Sequence, residues 1–77
     1  MQFVEMTGKT LLRIVSRDGD EPSPEELEEV GVNDESIIRV NRQGDIEVRR
    51  AAGWDVVGGL LGDFEARLKR ETGLDWA

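Results

Sequence analysis

Three carboxylates crowd one short stretch, Asp18-Gly19-Asp20-Glu21, and carboxylates at such spacing either hold a hard cation or work as a general acid and base. A general base needs a partner and a cleft. The chain contains no histidine, no cysteine and no tyrosine, so the usual nucleophiles and proton shuttles are missing. Its serines, threonines and lysines stand beside no evident activating group, and catalysis is not expected. The run also lacks the D-x-[DN]-x-[DN]-G spacing and the later glutamate of a calcium loop, which predicts a solvated loop and no metal site.

A second candidate is glycine-rich, Gly53-Trp54-Asp55-Val56-Val57-Gly58-Gly59-Leu60-Leu61-Gly62, ahead of an apolar pattern of helical period. Backbone N–H groups at such a place could meet an anion. Neither the G-K-[ST] ending of a P-loop nor a compact G-x-G-x-x-G is present, and Asp55 and Asp63 would repel phosphate. Gly58, Gly59 and Gly62 are therefore read as close-packing positions, and no cofactor is expected. Arg39, Arg42, Arg49 and Arg50 fall within a dozen residues and suggest the basic side of an RNA-binding sheet. Such a sheet stacks bases on aromatics, and of the four here (Phe3, Trp54, Phe64 and Trp76) none falls within that hairpin, while Asp45 and Glu47 dilute its charge.

The acids are distributed unevenly. From Asp18 to Glu35 there are nine acids and no base, and Asp18, Asp20, Glu21, Glu25, Glu28 and Glu29 could imitate a phosphate backbone before a basic groove. The plainer reading is a solubilising surface, partly consumed by helix-end positions. Residues 1–35 carry three bases against ten acids, which is the whole net charge of −7, and residues 36–77 balance at seven each. Two electrostatic faces are expected.

At 77 residues the chain holds one core, so a single domain over 1–77 is expected, only marginally stabilised by burial. Without cysteine there is no disulfide framework. Met1 to Val15 lacks a basic start followed by an apolar run, and Val56 to Leu61, broken by two glycines, falls far short of about 20 apolar residues. Cytoplasmic residence without a membrane span is the expectation.

The elements that would position these groups are read as follows. Phe3–Met6 and Thr10–Val15 are β-rich runs around Thr7-Gly8-Lys9, predicting a hairpin of open register. Ser23 with Glu26 forms an S-x-x-E capping box, Pro24 fits the first helical position and Gly31 stops the helix, with Leu27 and Val30 facing inward. Ile37–Asn41 and Asp45–Arg50 form a second hairpin around Arg42-Gln43-Gly44, with Val40 opposite Ile46, Arg39 opposite Glu47 and Ile38 opposite Val48. From Trp54 the apolar spacing becomes three and four through Val57, Leu61, Phe64 and Leu68, predicting a main helix from near residue 56 or 60 to Gly73. The expected fold is α+β, a small two-layer domain in the order ββαββα, its antiparallel sheet of two hairpins packed by a long C-terminal helix.

Met1-Gln2 with Thr7-Gly8-Lys9-Thr10 resembles the opening hairpin of the ubiquitin family. The likeness ends near Val15, and no terminal Arg-Gly-Gly follows, so it carries no conjugation function. The function expected from these residues is a noncatalytic protein-binding module able to self-associate. Its apolar contacts would be Trp54, Gly58, Gly59, Gly62 and the terminal Trp76. Alternatives are an acidic decoy acting through residues 18–35 and weak nucleic-acid binding by the arginine hairpin.

Overall fold

In the computed structural model, which describes residues 3–15 and 21–73, the elements run β1 (Phe3–Thr7), α1 (Gly8–Ile14), α2 (Pro24–Glu29), β2 (Ile37–Asn41), β3 (Asp45–Arg50), β4 (Gly53–Gly59) and α3 (Phe64–Thr72). The four strands form one antiparallel sheet in the order β1-β2-β3-β4. The class is α+β with an antiparallel sheet, as expected. The order is βααβββα rather than ββαββα.

The first correction concerns the opening hairpin. Residues 8–14 are helical, because Thr7 acts as an N-cap whose hydroxyl accepts from the Thr10 N–H at 3.4 Å, and Leu11, Ile14 and Val15 fall on one buried face. The likeness to ubiquitin therefore stops at the turn. Gly8 makes this start possible: a Cβ there would lie 1.8 Å from the Asn33 carbonyl oxygen, while its N–H donates to Ser36 O at 2.8 Å and that of Lys9 to Asp34 O at 3.2 Å. β1 pairs instead with β2, setting Val4 against Val40, Glu5 against Arg39 and Met6 against Ile38.

The second correction concerns the main helix. Gly53–Gly59 is a strand, and the helix occupies only the nine residues Phe64–Thr72. Gly58 and Gly59 would each cost a helix about 1 kcal/mol. As a strand, the segment completes the sheet after an Ala51-Ala52 turn, with Arg50 opposite Gly53 and Arg49 opposite Trp54. A register shift at Ile46/Glu47 bulges β4 at Val57. Leu61, expected on the helix core face, lies in the loop before α3 and is 52% exposed. The stop at Gly73 stands, with φ 73° and its N–H on Lys69 O at 2.8 Å.

Two expectations match in detail. Ser23 and Glu26 form the reciprocal capping box, with Pro24 in the first turn of α2. β2 and β3 pair in the expected register, and Gly44 takes the left-handed conformation at φ 91°. Asn41 ties that turn by accepting from the Gln43 and Asp45 N–H groups at 2.9 and 3.0 Å. Val4, Ile38, Val40, Ile46 and Val48 line one face of the sheet, and Leu11, Ile14, Val15, Leu27, Val32, Leu60 and Leu68 cover it. Val30, expected inside, is 45% exposed; its carbonyl accepts from Arg50 Nη2.

Candidate binding surface

Side chains alternate across a strand, so a sheet whose even face builds the core presents its other residues outward. By the observed register these are Phe3, Glu5 and Thr7 on β1, Ile37, Arg39 and Asn41 on β2, Asp45, Glu47 and Arg49 on β3, and Trp54 and Val56 on β4. The described core residues outside the sheet all pack on the opposite face. Val56 is 61% and Ile37 45% exposed.

Arg39 organises the centre of this face. Its Nε and Nη2 donate to Glu47 Oε1 at 3.1 and 2.8 Å, and its guanidinium lies 4.0 Å from the Phe3 ring centroid and 4.1 Å from that of Trp54. A cation between two rings and against a carboxylate is restrained from three sides, each cation–π contact contributing about 0.5–2 kcal/mol according to its desolvation. The result is a flat platform of fixed side chains, with Ile37 and Val56 as apolar shoulders.

The sequence brought only part of this together. Of the residues expected to bind a partner, Trp54 and Gly59 are on this face. Gly58 points to the other side, where a Cβ would meet Pro22 Cγ at 2.7 Å, and Gly62 turns the chain before α3 at φ 64°. Trp76 lies outside the described residues. The four arginines do not form one patch. Arg39 and Arg49 face outward, Arg42 stands in the exposed turn, and Arg50 reaches under the sheet to Val30 O at 2.5 Å and to Asp55 Oδ2 at 3.4 Å. Aromatics flank Arg39 after all. Phe3 reaches Arg39 because β1 pairs with the distant β2 and not with residues 10–15, a pairing no local pattern in the sequence signals.

The acidic stretch divides as well. Asp18 and Asp20 lie outside the described residues; Glu25, Glu28 and Glu29 are exposed on α2. Glu21 is not a surface charge: it is 8% exposed and accepts from Arg67 Nη1 at 3.0 Å, Arg67 Nη2 at 2.5 Å and the Leu61 N–H at 2.6 Å. Arg67 also donates to Ile14 O at 2.7 Å and Leu61 O at 2.8 Å. The hydrogen bond to Glu21 raises the Arg67 pKa above its ordinary value, against the opposing effect of burial. This network ties α1, the loop before α3 and α3 together.

Glu28, Asp34 and Glu35 rim an open depression of about 630 Å³ floored by Leu12 and Val32. Among the described residues no three acidic, histidine or cysteine side chains are grouped to hold a metal ion. Among them, too, no helix is long and apolar enough to cross a membrane. No family model matches the chain, and no curated protein or solved structure matches it.

Proposed function

We propose that this chain is a noncatalytic protein-binding module whose contact surface is the outer face of the sheet. The observation that carries the reading is the exposure of Val56 and Ile37 beside the fixed Phe3–Arg39–Trp54 stack, on a face left open by the described helices. Large apolar side chains left in water at the shoulders of a rigid aromatic and arginine centre match the composition of interface hot spots. The absence of histidine, cysteine and tyrosine supports the noncatalytic part.

Nucleic acid is the weaker occupant of the same face. Phe3 and Trp54 could stack bases, but both rings already hold Arg39, and the face carries two bases against three acids where phosphate binding needs positive excess. The decoy reading keeps Glu25, Glu28 and Glu29 on α2 but loses Glu21 to Arg67.

The test is a capture experiment in which the immobilised chain is compared with an Ile37→Glu/Val56→Glu variant of unchanged circular dichroism. Proteins retained by the first and released by the second support the reading. Identical capture by both removes the sheet face from consideration, and loss only with Glu25, Glu28 and Glu29 replaced by glutamine favours the decoy.

A further inference from the structure

We infer that the occupant of the open sheet face is a second copy of this chain, packed sheet against sheet; the inference rests on the reading of that face as the contact surface. Charge carries it. The chain has a net charge of −7, whereas the described residues of this face hold only −1, from Arg39 and Arg49 against Glu5, Asp45 and Glu47. Among the described residues, seven bases against eleven acids, a net −4, lie off this face, and the exposed acids of α2 stand outside it. Two copies therefore repel one another over most approaches and least over this one.

The face is also suited to meeting itself. An isologous contact needs a patch that carries both members of each complementary pair. Here the central charge is neutralised within each copy, since Arg39 is bonded to Glu47 at 2.8 Å, so burying it against an apolar shoulder leaves no uncompensated ion. Glu5 and Arg49 remain to pair across the contact, while Ile37 and Val56 supply apolar area. A basic partner would be drawn instead to α2 and the acidic depression.

Sheets stack about 10 Å apart, and four strands spaced about 4.8 Å over about five residues cover roughly 300 Å² per copy. Stable complexes bury about 800 Å² per partner, so the dimer exchanges rapidly and forms in the high micromolar range.

The experiment is sedimentation equilibrium with amide and indole NMR spectra of the full chain, from about 20 μM to about 2 mM, at about 50 and about 500 mM salt. The expected result is a mass rising toward two chains, with concentration-dependent shifts at Ile37, Arg39, Val56 and the Trp54 indole. Association should hold or strengthen at high salt, because screening relieves the net repulsion. Val56→Glu should weaken it at least tenfold, and Ile37→Glu likewise, without altering the dispersion of core signals. A monomeric mass at the highest concentration in both salts overturns the inference. So does association that salt weakens, or shifts confined to α2 and α3. A monomer that still captures another protein through Ile37 and Val56 sinks the dimer and leaves the binding face standing, whereas capture indifferent to both substitutions sinks the face itself.

Discussion

Glu21 and Arg67 offer the sharpest test of how the described parts are held together. The pair is enclosed, with side-chain exposures of 4% and 20%, and each member also satisfies backbone groups: Glu21 the Leu61 N–H, Arg67 the carbonyls of Ile14 and Leu61. Replacing Glu21 by Leu or Arg67 by Met alone removes the main counter-charge of the other in a largely enclosed site, at about 3–5 kcal/mol. At about 0.05–0.15 kcal/mol per residue, a chain of 77 residues has roughly 4–12 kcal/mol in total, so either change consumes a large part of it. The double variant behaves differently. No charge is stranded, and Leu61, being 52% exposed, can give its backbone groups to water. The Ile14 carbonyl remains short of a partner, at about 1–3 kcal/mol. The singles thus sum to at least about 6 kcal/mol and the double costs at most about 3, a coupling of about 3 kcal/mol or more. Urea unfolding at low temperature measures all four proteins, and Glu21→Gln supplies a milder single should Glu21→Leu fail to fold. Additive effects, or a single costing below about 1 kcal/mol, would refute the reasoning. Arginine adds no pH dependence to this result in the usual range. Its folded pKa is raised above the ordinary arginine value, so its stabilising contribution is complete below that ordinary value and is lost only as pH climbs through the raised one.

Gly8→Ala should cost about 3 kcal/mol or more, from overpacking against Asn33 O and weakening of the N–H bonds of Gly8 and Lys9; Gly62→Ala, with φ 64° but open space, should cost only about 1–2 kcal/mol in the same urea assay. Arg39→Lys keeps the charge but loses the planar stack, and should destabilise by about 1–2 kcal/mol while changing Trp54 fluorescence. Val56→Glu should leave the unfolding free energy from urea within about 0.5 kcal/mol of the parent, because its side chain is already in water.

Legibility in the sequence followed the range of the interactions. The β2–β3 hairpin and the capping box of α2 are readable because their partners lie within ten residues of one another, as Ile38 and Val48 or Ser23 and Glu26 do. The start of α1 is not. Its determinant is the approach of Asn33 to Gly8, a contact between residues 25 apart, and without it Leu11, Leu12, Ile14 and Val15 read equally well as a strand. β4 is obscured for a related reason, since Trp54, Val57 and Leu61 happen to be spaced by three and four while pairing with β3 decides the conformation. Of the outer sheet face, Arg39, Glu47 and Trp54 are visible singly. Their assembly with Phe3 required the β1–β2 pairing, which spans more than thirty residues.

The division of charge between the two halves of the sequence becomes intelligible once the layers are known. Three of the four strands come from residues 37–59, within the neutral half, and α2 comes from the acidic half. Within the neutral half bases and acids are spent in pairs, Arg39 on Glu47 and Arg50 on Asp55, so strands β2–β4 acquire polarity without net charge. Solubility then falls to the α2 layer, whose exposed glutamates keep copies apart where they should not meet. A sheet left open on one side is an aggregation hazard unless its edges and face are guarded. Here the charged guard is placed on the opposite layer, with a bulge in β4 at the edge, while the outer face is left uncovered by the described helices.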